Sequence, residues 1–201
     1  MRGWLILLLL TAALPAAAQT VEPDPIGPVK AVGVRRFEAG FVYGFAVFTN
    51  SQSGTEWTAA APVGSELDLD TSPSVGLGLA WSADEHLSLG LRAAHQATRL
   101  LAGDADTTSR TDMTLLNLLL EVEGTFGPGQ VRPLVALAGG GCRVNAGGAM
   151  AWHYTAVPAI GLRFAVDPRV VARVLARLPL IWANGNLVIQ QELAAGMSWR
   201  F

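Results

Sequence analysis

The chain has 201 residues, of which 51% are hydrophobic and only 15% charged, against about 25% charged in ordinary globular chains. That balance excludes a disordered polymer, and a formal net charge of −2 with no basic block argues against nucleic acid as a partner. The single cysteine, Cys142, excludes an internal disulfide or a cysteine-rich zinc site, and 22 glycines with 11 prolines are too many for a helical bundle.

The chain opens on an address. Arg2 precedes an apolar run from Trp4 to Leu14, Pro15 breaks it, and Ala16, Ala17 and Ala18 supply small side chains for a signal peptidase. Residues 1–18 therefore read as a signal peptide, with the mature chain starting at Gln19. Residues 19–35 carry three prolines without alternation and read as a flexible periplasmic leader.

Beyond residue 36 no apolar run reaches the 18 or so residues of a transmembrane helix. Instead, segments near 37–48, 73–82, 87–101, 112–126, 131–144, 150–166, 169–182 and 187–201 alternate with a period of two, the signature of strands with unlike faces. In the first, Phe37, Phe41, Tyr43 and Phe45 oppose Glu38, Gly40, Gly44 and Ala46. In the last, Leu193, Met197, Trp199 and Phe201 oppose Glu192, Ala194, Gly196 and Ser198.

A soluble sheet also alternates, but its second face carries a dense coat of Lys and Glu. Here that face is glycine, alanine, serine and a few charges, which suits the crowded inside of a narrow barrel with lipid outside. A sheet in hydrocarbon must close on itself, because open edges would strand backbone polar groups. The fold expected for residues 36–201 is thus all-β, an eight-stranded antiparallel up-and-down transmembrane barrel.

Loop lengths and aromatics agree with this. Connections 83–86, 127–130 and 167–168 are short and fit the periplasmic side, whereas the external set holds the longer 49–72 and 102–111 with two shorter ones near 145–149 and 183–186. Every aromatic after residue 18, apart from Phe48 and Trp57, falls on the lipid-facing parity and most cluster at strand ends. Pro133, Pro158 and Pro179 each remove a ladder donor, and a bulge at Pro158 or Pro179 would reverse the facing beyond it. Segment 169–182 also fits an amphipathic helix, since Arg169, Arg173 and Arg177 recur every four residues.

The closing Met197-Ser198-Trp199-Arg200-Phe201 resembles the C-terminal signature of outer-membrane β-barrels, and with the signal and strand count the chain resembles the small OmpA- and OmpX-type barrels. The resemblance implies location in the cell outer membrane after signal cleavage. It further implies that the barrel-assembly machinery reads Trp199 and Phe201, and that outer-membrane lipids and lipopolysaccharide are partners of a monomer.

Inward parity collects Glu38, Glu121, Glu123 and Glu192 with Arg92, Arg132, Arg163, Arg173, Arg177 and Arg200. In so narrow an interior these charges are expected to pair and plug the bore, with Gln96, Asn117 and Gln190, or anions, meeting the excess arginines; Arg132 and Arg200, near the periplasmic rim, fit a place at the mouth equally well.

Catalytic patterns are thin. A resemblance to the lipid A deacylase type of barrel would need His and Ser two apart on the outer wall. His86 lies in a turn, His95 is followed at that spacing by Ala97, and His153 and Thr155 share the inward parity. No nucleotide or zinc motif occurs, and no cofactor is implied. Glu66, Asp68 and Asp70 form an acidic cluster without the spacing or glycine of a calcium loop. The sequence therefore points to a structural, adhesive or ligand-binding protein working through its external loops, with an outer-leaflet lipid-modifying enzyme and a narrow pore as alternatives.

Overall fold

The computed structural model describes residues 36–48, 66–69, 71–104 and 107–201. The segments expected to be signal peptide and leader, residues 49–65 of the expected loop and Asp70 lie outside the described residues. The rest forms strands β1 (Phe37–Phe48), β2 (Glu66–Leu69), β3 (Ser72–Ser82), β4 (Leu87–Asp104), β5 (Thr107–Thr125), β6 (Val131–Ala146), β7 (Ala149–Ala165), β8 (Val170–Arg177), β9 (Leu180–Ala183) and β10 (Asn186–Arg200). Two pairs are halves of one wall strand: β2 with β3, and β8 with β9. Eight wall strands result.

Each wall strand pairs antiparallel with its sequence neighbour, and β1 pairs with β10 from Glu38–Arg200 to Phe48–Gln190, so the sheet closes. The row that starts at Glu38 passes Ala80, Gly90, Glu121, Ala138 and Val157, continues through Pro179 and Gln190, and meets β1 again at Phe48, ten residues above its start. A climb of that size over eight strands tilts them by about 40°, the usual range for such barrels.

Turn chemistry holds the two rims. At the lower rim, the Asp84 carboxylate accepts the amides of His86 (2.7 Å) and Leu87 (2.8 Å), and Asp167 accepts those of Arg169 and Val170. These are Asx turns, in which a short carboxylate replaces a backbone acceptor. At the upper rim, Gly147-Gly148 and Asn184-Gly185 hold positive φ at both central positions, as two-residue hairpins with right-handed twist require.

The alternation settles the facing. Leu77 (70% exposed), Leu79, Leu91, Leu120, Leu137 and Tyr154 (81%) stand outside, whereas Glu38, Arg92, Arg163 and Arg177 are buried inside. An apolar exterior of this extent is far beyond what a water-soluble monomer tolerates. Phe37, Trp81, Phe126, Trp199 and Phe201 ring the lower rim, and Trp152 and Trp182 stand near the upper one.

Segment 169–182 is the strand its alternation indicates, interrupted only at Leu178-Pro179, and the helix alternative falls. Two expectations change. The expected loop 102–111 is largely strand: β4 and β5 pair from Leu87–Gly124 out to Asp104–Thr107, because Thr107, Thr108 and Thr111 suit an extended ladder beyond the apolar belt. Within the expected loop 49–72, Glu66–Leu69 forms β2 against β4. Its register against β4 is displaced by one residue from that of β3.

The prolines leave the facing intact. Pro133 and Pro158 lie within unbroken registers. On both sides of Pro179, β8 and β9 keep one common register against β7 and β10. Each proline costs one donor of a reciprocal pair and keeps its acceptor: Phe126 donates to the Pro133 carbonyl (2.9 Å), Leu178 to that of Pro158 (2.9 Å) and Gln190 to that of Pro179 (2.9 Å).

Candidate functional site

The candidate site is the bore. One inner wall, on β1, β3, β4 and β10, is lined by Gly40, Gly44, Gly76, Gly78, Gly90 and Gly196; long side chains from β5, β7 and β8 cross to fill the room. Gly44 shows why the bare backbone matters. A Cβ there would stand 2.5 Å from Glu192 Oε1 and 2.8 Å from Ser74 Oγ.

Charges occupy the lower half in two layers. In the first, Glu38 accepts Arg163, Arg173 (2.5 Å), Arg200 (2.8 Å) and Ser198 (3.2 Å). Glu123 accepts the same Arg163 and Arg173, both at 3.0 Å. Both carboxylates thus bridge Arg163 and Arg173, and Arg173 also donates to Ser198 (2.7 Å). Arginine suits this arrangement because its planar fork holds two acceptors at once. In the second layer, Glu121 takes Arg92 (2.8 Å) and lies 3.8 Å from Arg177, which donates to Glu192 (3.1 Å). Ser74 donates to the other oxygen of Glu192.

Above the charges the bore turns polar and then apolar. Gln190 donates to Gln96 (2.9 Å) and Gln96 to Ser72 (2.7 Å). Over β5, β6, β9 and β10 the upper interior is a cluster of Met113, Leu115, Cys142, Val144, Ile181 and Val188, all buried. Leu119 with Val157, and Leu134 with Leu175, fill the gaps below.

Small enclosed spaces remain. One of about 50 Å³ touches Glu38, Arg92, Glu121, Glu123 and Arg173, and one of about 20 Å³ touches Arg177, Gln190 and Glu192. Each exceeds the roughly 10–15 Å³ that a single water needs. Neither is a passage for solutes. A wider concavity of about 870 Å³ is bordered by Leu77, Leu79, Leu91 and Leu120 of the outer face and by Gly40, Gly78, Arg92 and Leu119 of the inner one.

The structure brings together Glu38, Arg92, Glu121, Glu123, Arg163, Arg173, Arg177 and Glu192, with Arg200 at the lower mouth. It places Arg132 elsewhere, at the rim: Arg132 donates to the Gly129 carbonyl (3.0 Å) and meets the Glu85 carboxylate at 3.6 Å. Parity alone could not separate it from the bore, because the last inward position of a strand is also a rim position.

Sequence reasoning put Ser74 and Ser198 on the inward face without giving them a charged partner, and it left Ser72 in a loop. It also expected small or polar residues throughout the interior, whereas Met113, Leu115, Leu119, Leu134 and Leu175 point inward. Strand β5 carries leucine on both faces because it borders lipid outside and the apolar fill inside. Trp199 and Phe201 face outward at the lower rim, where the Phe201 amide donates to the Phe37 carbonyl (2.9 Å) across the closing seam.

The histidines are scattered. His86 Nδ1 lies 3.1 Å from the Thr125 carbonyl, His95 faces lipid, and His153 faces inward, paired across the ladder with Cys142.

No family model matches the chain, and no curated relative does. Solved structures do resemble it. Neisserial surface protein A matches 82% of this chain and 97% of its own length at 18% identity, with a TM-score of 0.57. The outer membrane protein OprG from Pseudomonas aeruginosa matches 82% and 95% at 11% identity, with 0.58. Outer Membrane Protein W of E. coli matches 83% and 97% at 14% identity, with 0.50. The closed eight-strand ladder, the apolar exterior and these matches together assign the chain the fold of the small outer-membrane β-barrels.

Proposed function

We propose that this protein is an outer-membrane barrel that acts at its outer face, as a structural, adhesive or ligand-binding element, without catalysis and without conducting through its bore. The observation that carries the reading is the filled interior: two layers of paired charges, a glutamine layer and an apolar cap stand in series across the bore. A protein that neither conducts nor gathers a catalytic constellation on its described wall has its rims and loops left for recognition.

In this reading residues 1–18 are removed as the signal peptide and 19–35 remain in the periplasm as a leader. The lower rim, with its short turns and Phe201, faces the periplasm, and the upper rim faces out. Lipids and lipopolysaccharide surround a monomer that the barrel-assembly machinery inserts through the strand ending in Trp199 and Phe201.

A deletion strain tests the role. Changed adhesion or envelope integrity, with lipid A mass and small-solute uptake unchanged, is the expected outcome. Altered lipid A acylation would instead establish a lipid-modifying enzyme, and altered solute uptake a pore; either overturns the reading.

A further inference from the structure

The outer wall is apolar nearly everywhere. Among the described strand side chains, the carboxylate, guanidinium, ammonium and imidazole groups it carries are His95 and Arg99 on β4, Asp112 on β5 and Arg143 on β6, all toward the upper rim on three adjacent strands. The lower half of the wall has none, and neither does any part of β1, β3 or β7 through β10. A localised break of this kind in a lipid-facing surface has a cost, so it needs a compensating partner.

Register puts the groups side by side. His95 faces Leu116, Leu116 faces Arg143, and Arg143 faces Trp152. One step toward the upper rim, Thr114 stands beside Asn145 on the same wall. Neighbouring strands lie about 4.8 Å apart, so the backbones of His95 and Arg143 are about 10 Å apart with Leu116 between them. Over Leu116 the two cationic-capable side chains can converge on one tetrahedral oxyanion, with a hydroxyl and an amide at its upper edge.

Depth and valence fit the same ligand. Trp152 is 58% exposed, and its ring covers Gly141, where a Cβ would stand only 3.1 Å from it. Tryptophan at that position marks the level at which hydrocarbon gives way to headgroups. Arg143, in the same row, is exposed and makes no ion pair or hydrogen bond with a described residue. The one acid nearby, Asp112, is met by Arg99 at 3.5 Å and is 94% exposed. A free guanidinium at headgroup depth is matched by phosphate, which it binds bidentately.

We infer that Arg143 and His95, with Thr114 and Asn145, form a docking site on the outer wall for a phosphate group of the outer-leaflet glycolipid. The assignment to the outer leaflet rests on the orientation proposed above; the phosphate chemistry does not.

The test uses the folded mature chain in phosphatidylethanolamine nanodiscs doped with bisphosphorylated lipid A or with its dephosphorylated form, and counts lipid A retained per barrel by native mass spectrometry. The phosphorylated form should be retained at least fivefold better. Arg143→Gln combined with His95→Ala should abolish that preference, and Gln191→Ala, on the lipid face of β10, should leave it unchanged. Equal retention of the two lipids by the wild-type barrel, or an undiminished preference in the double variant, would overturn the site. Migration of unboiled samples verifies that each variant is folded. Membrane fractionation of cells tests the location separately: a chain absent from the outer membrane overturns the outer-leaflet assignment even where the phosphate preference holds.

Discussion

Asp84 shows what one side chain contributes to a rim. The backbone amides of His86 and then Leu87 bind its carboxylate and hold its pKa below the usual 3.8. Because the folded value is the depressed one, the turn's support is complete above 3.8 and is lost as pH falls through the folded value. The Asp84 carboxyl resonance should therefore titrate with a midpoint below 3.8 in micelles, and a midpoint at or above 3.8 would contradict the turn. Glu38 carries more weight, since it holds Arg163, Arg173 and Arg200 out of water. Removing one partner of a buried ion network costs about 3–5 kcal/mol, whereas an exposed pair contributes about 0–1. Glu38→Ala should lose the larger amount in reversible urea unfolding from micelles, and Asp112→Ala, which breaks the exposed pair with Arg99, at most the smaller. Parity made Glu38 and its arginines legible in the sequence, because a period of two fixes facing without knowledge of the partner. The pairings themselves were not legible: Glu38 and Arg173 are far apart along the chain and meet only because the barrel closes. Arg132 found Glu85 instead of the bore because a turn from a neighbouring hairpin reaches the same rim.

The strands obey a simpler rule, alternation, and deviate from it where sequence is ambiguous. Segment 169–182 fits helix and strand alike, since a spacing of four preserves parity in both; the β7 and β10 ladders on either side decide for the strand. The β4–β5 hairpin runs past its expected end because polar β-branched residues mark the limit of the lipid belt, not of the ladder. Between β7 and β10 the ladder is weakest at Leu178-Pro179, where Pro158 and Pro179 remove one bond from each neighbouring pair. Amides of Leu178 and Gln190 should exchange with deuterium faster than those of Leu91 and Leu118 in the unbroken β4–β5 ladder. Protection equal at both places would mean that the prolines do not weaken the wall. At the other end of the same hairpin, deleting Phe201 should sharply lower the outer-membrane level in cells, while the purified variant still refolds into micelles with a β spectrum. Normal levels in cells would remove any assembly role for that residue.

At the scale of the whole molecule, closure and filling are separate properties with separate readouts. Closure joins β1 to β10, leaves no edge from which to unzip, and predicts that unboiled protein in SDS migrates differently from boiled protein. Filling concerns what stands inside the ring. Eight strands enclose a core that side chains can fill, unlike the aqueous channel of a 16- to 18-stranded porin, and here ion pairs below and apolar side chains above leave only water-sized gaps. The central claim is that this fill closes the bore and leaves the outer face to act. Planar-bilayer recording of the purified barrel tests it most directly. The account predicts silence at neutral pH for the wild-type protein; stable, ion-selective single-channel steps would contradict it.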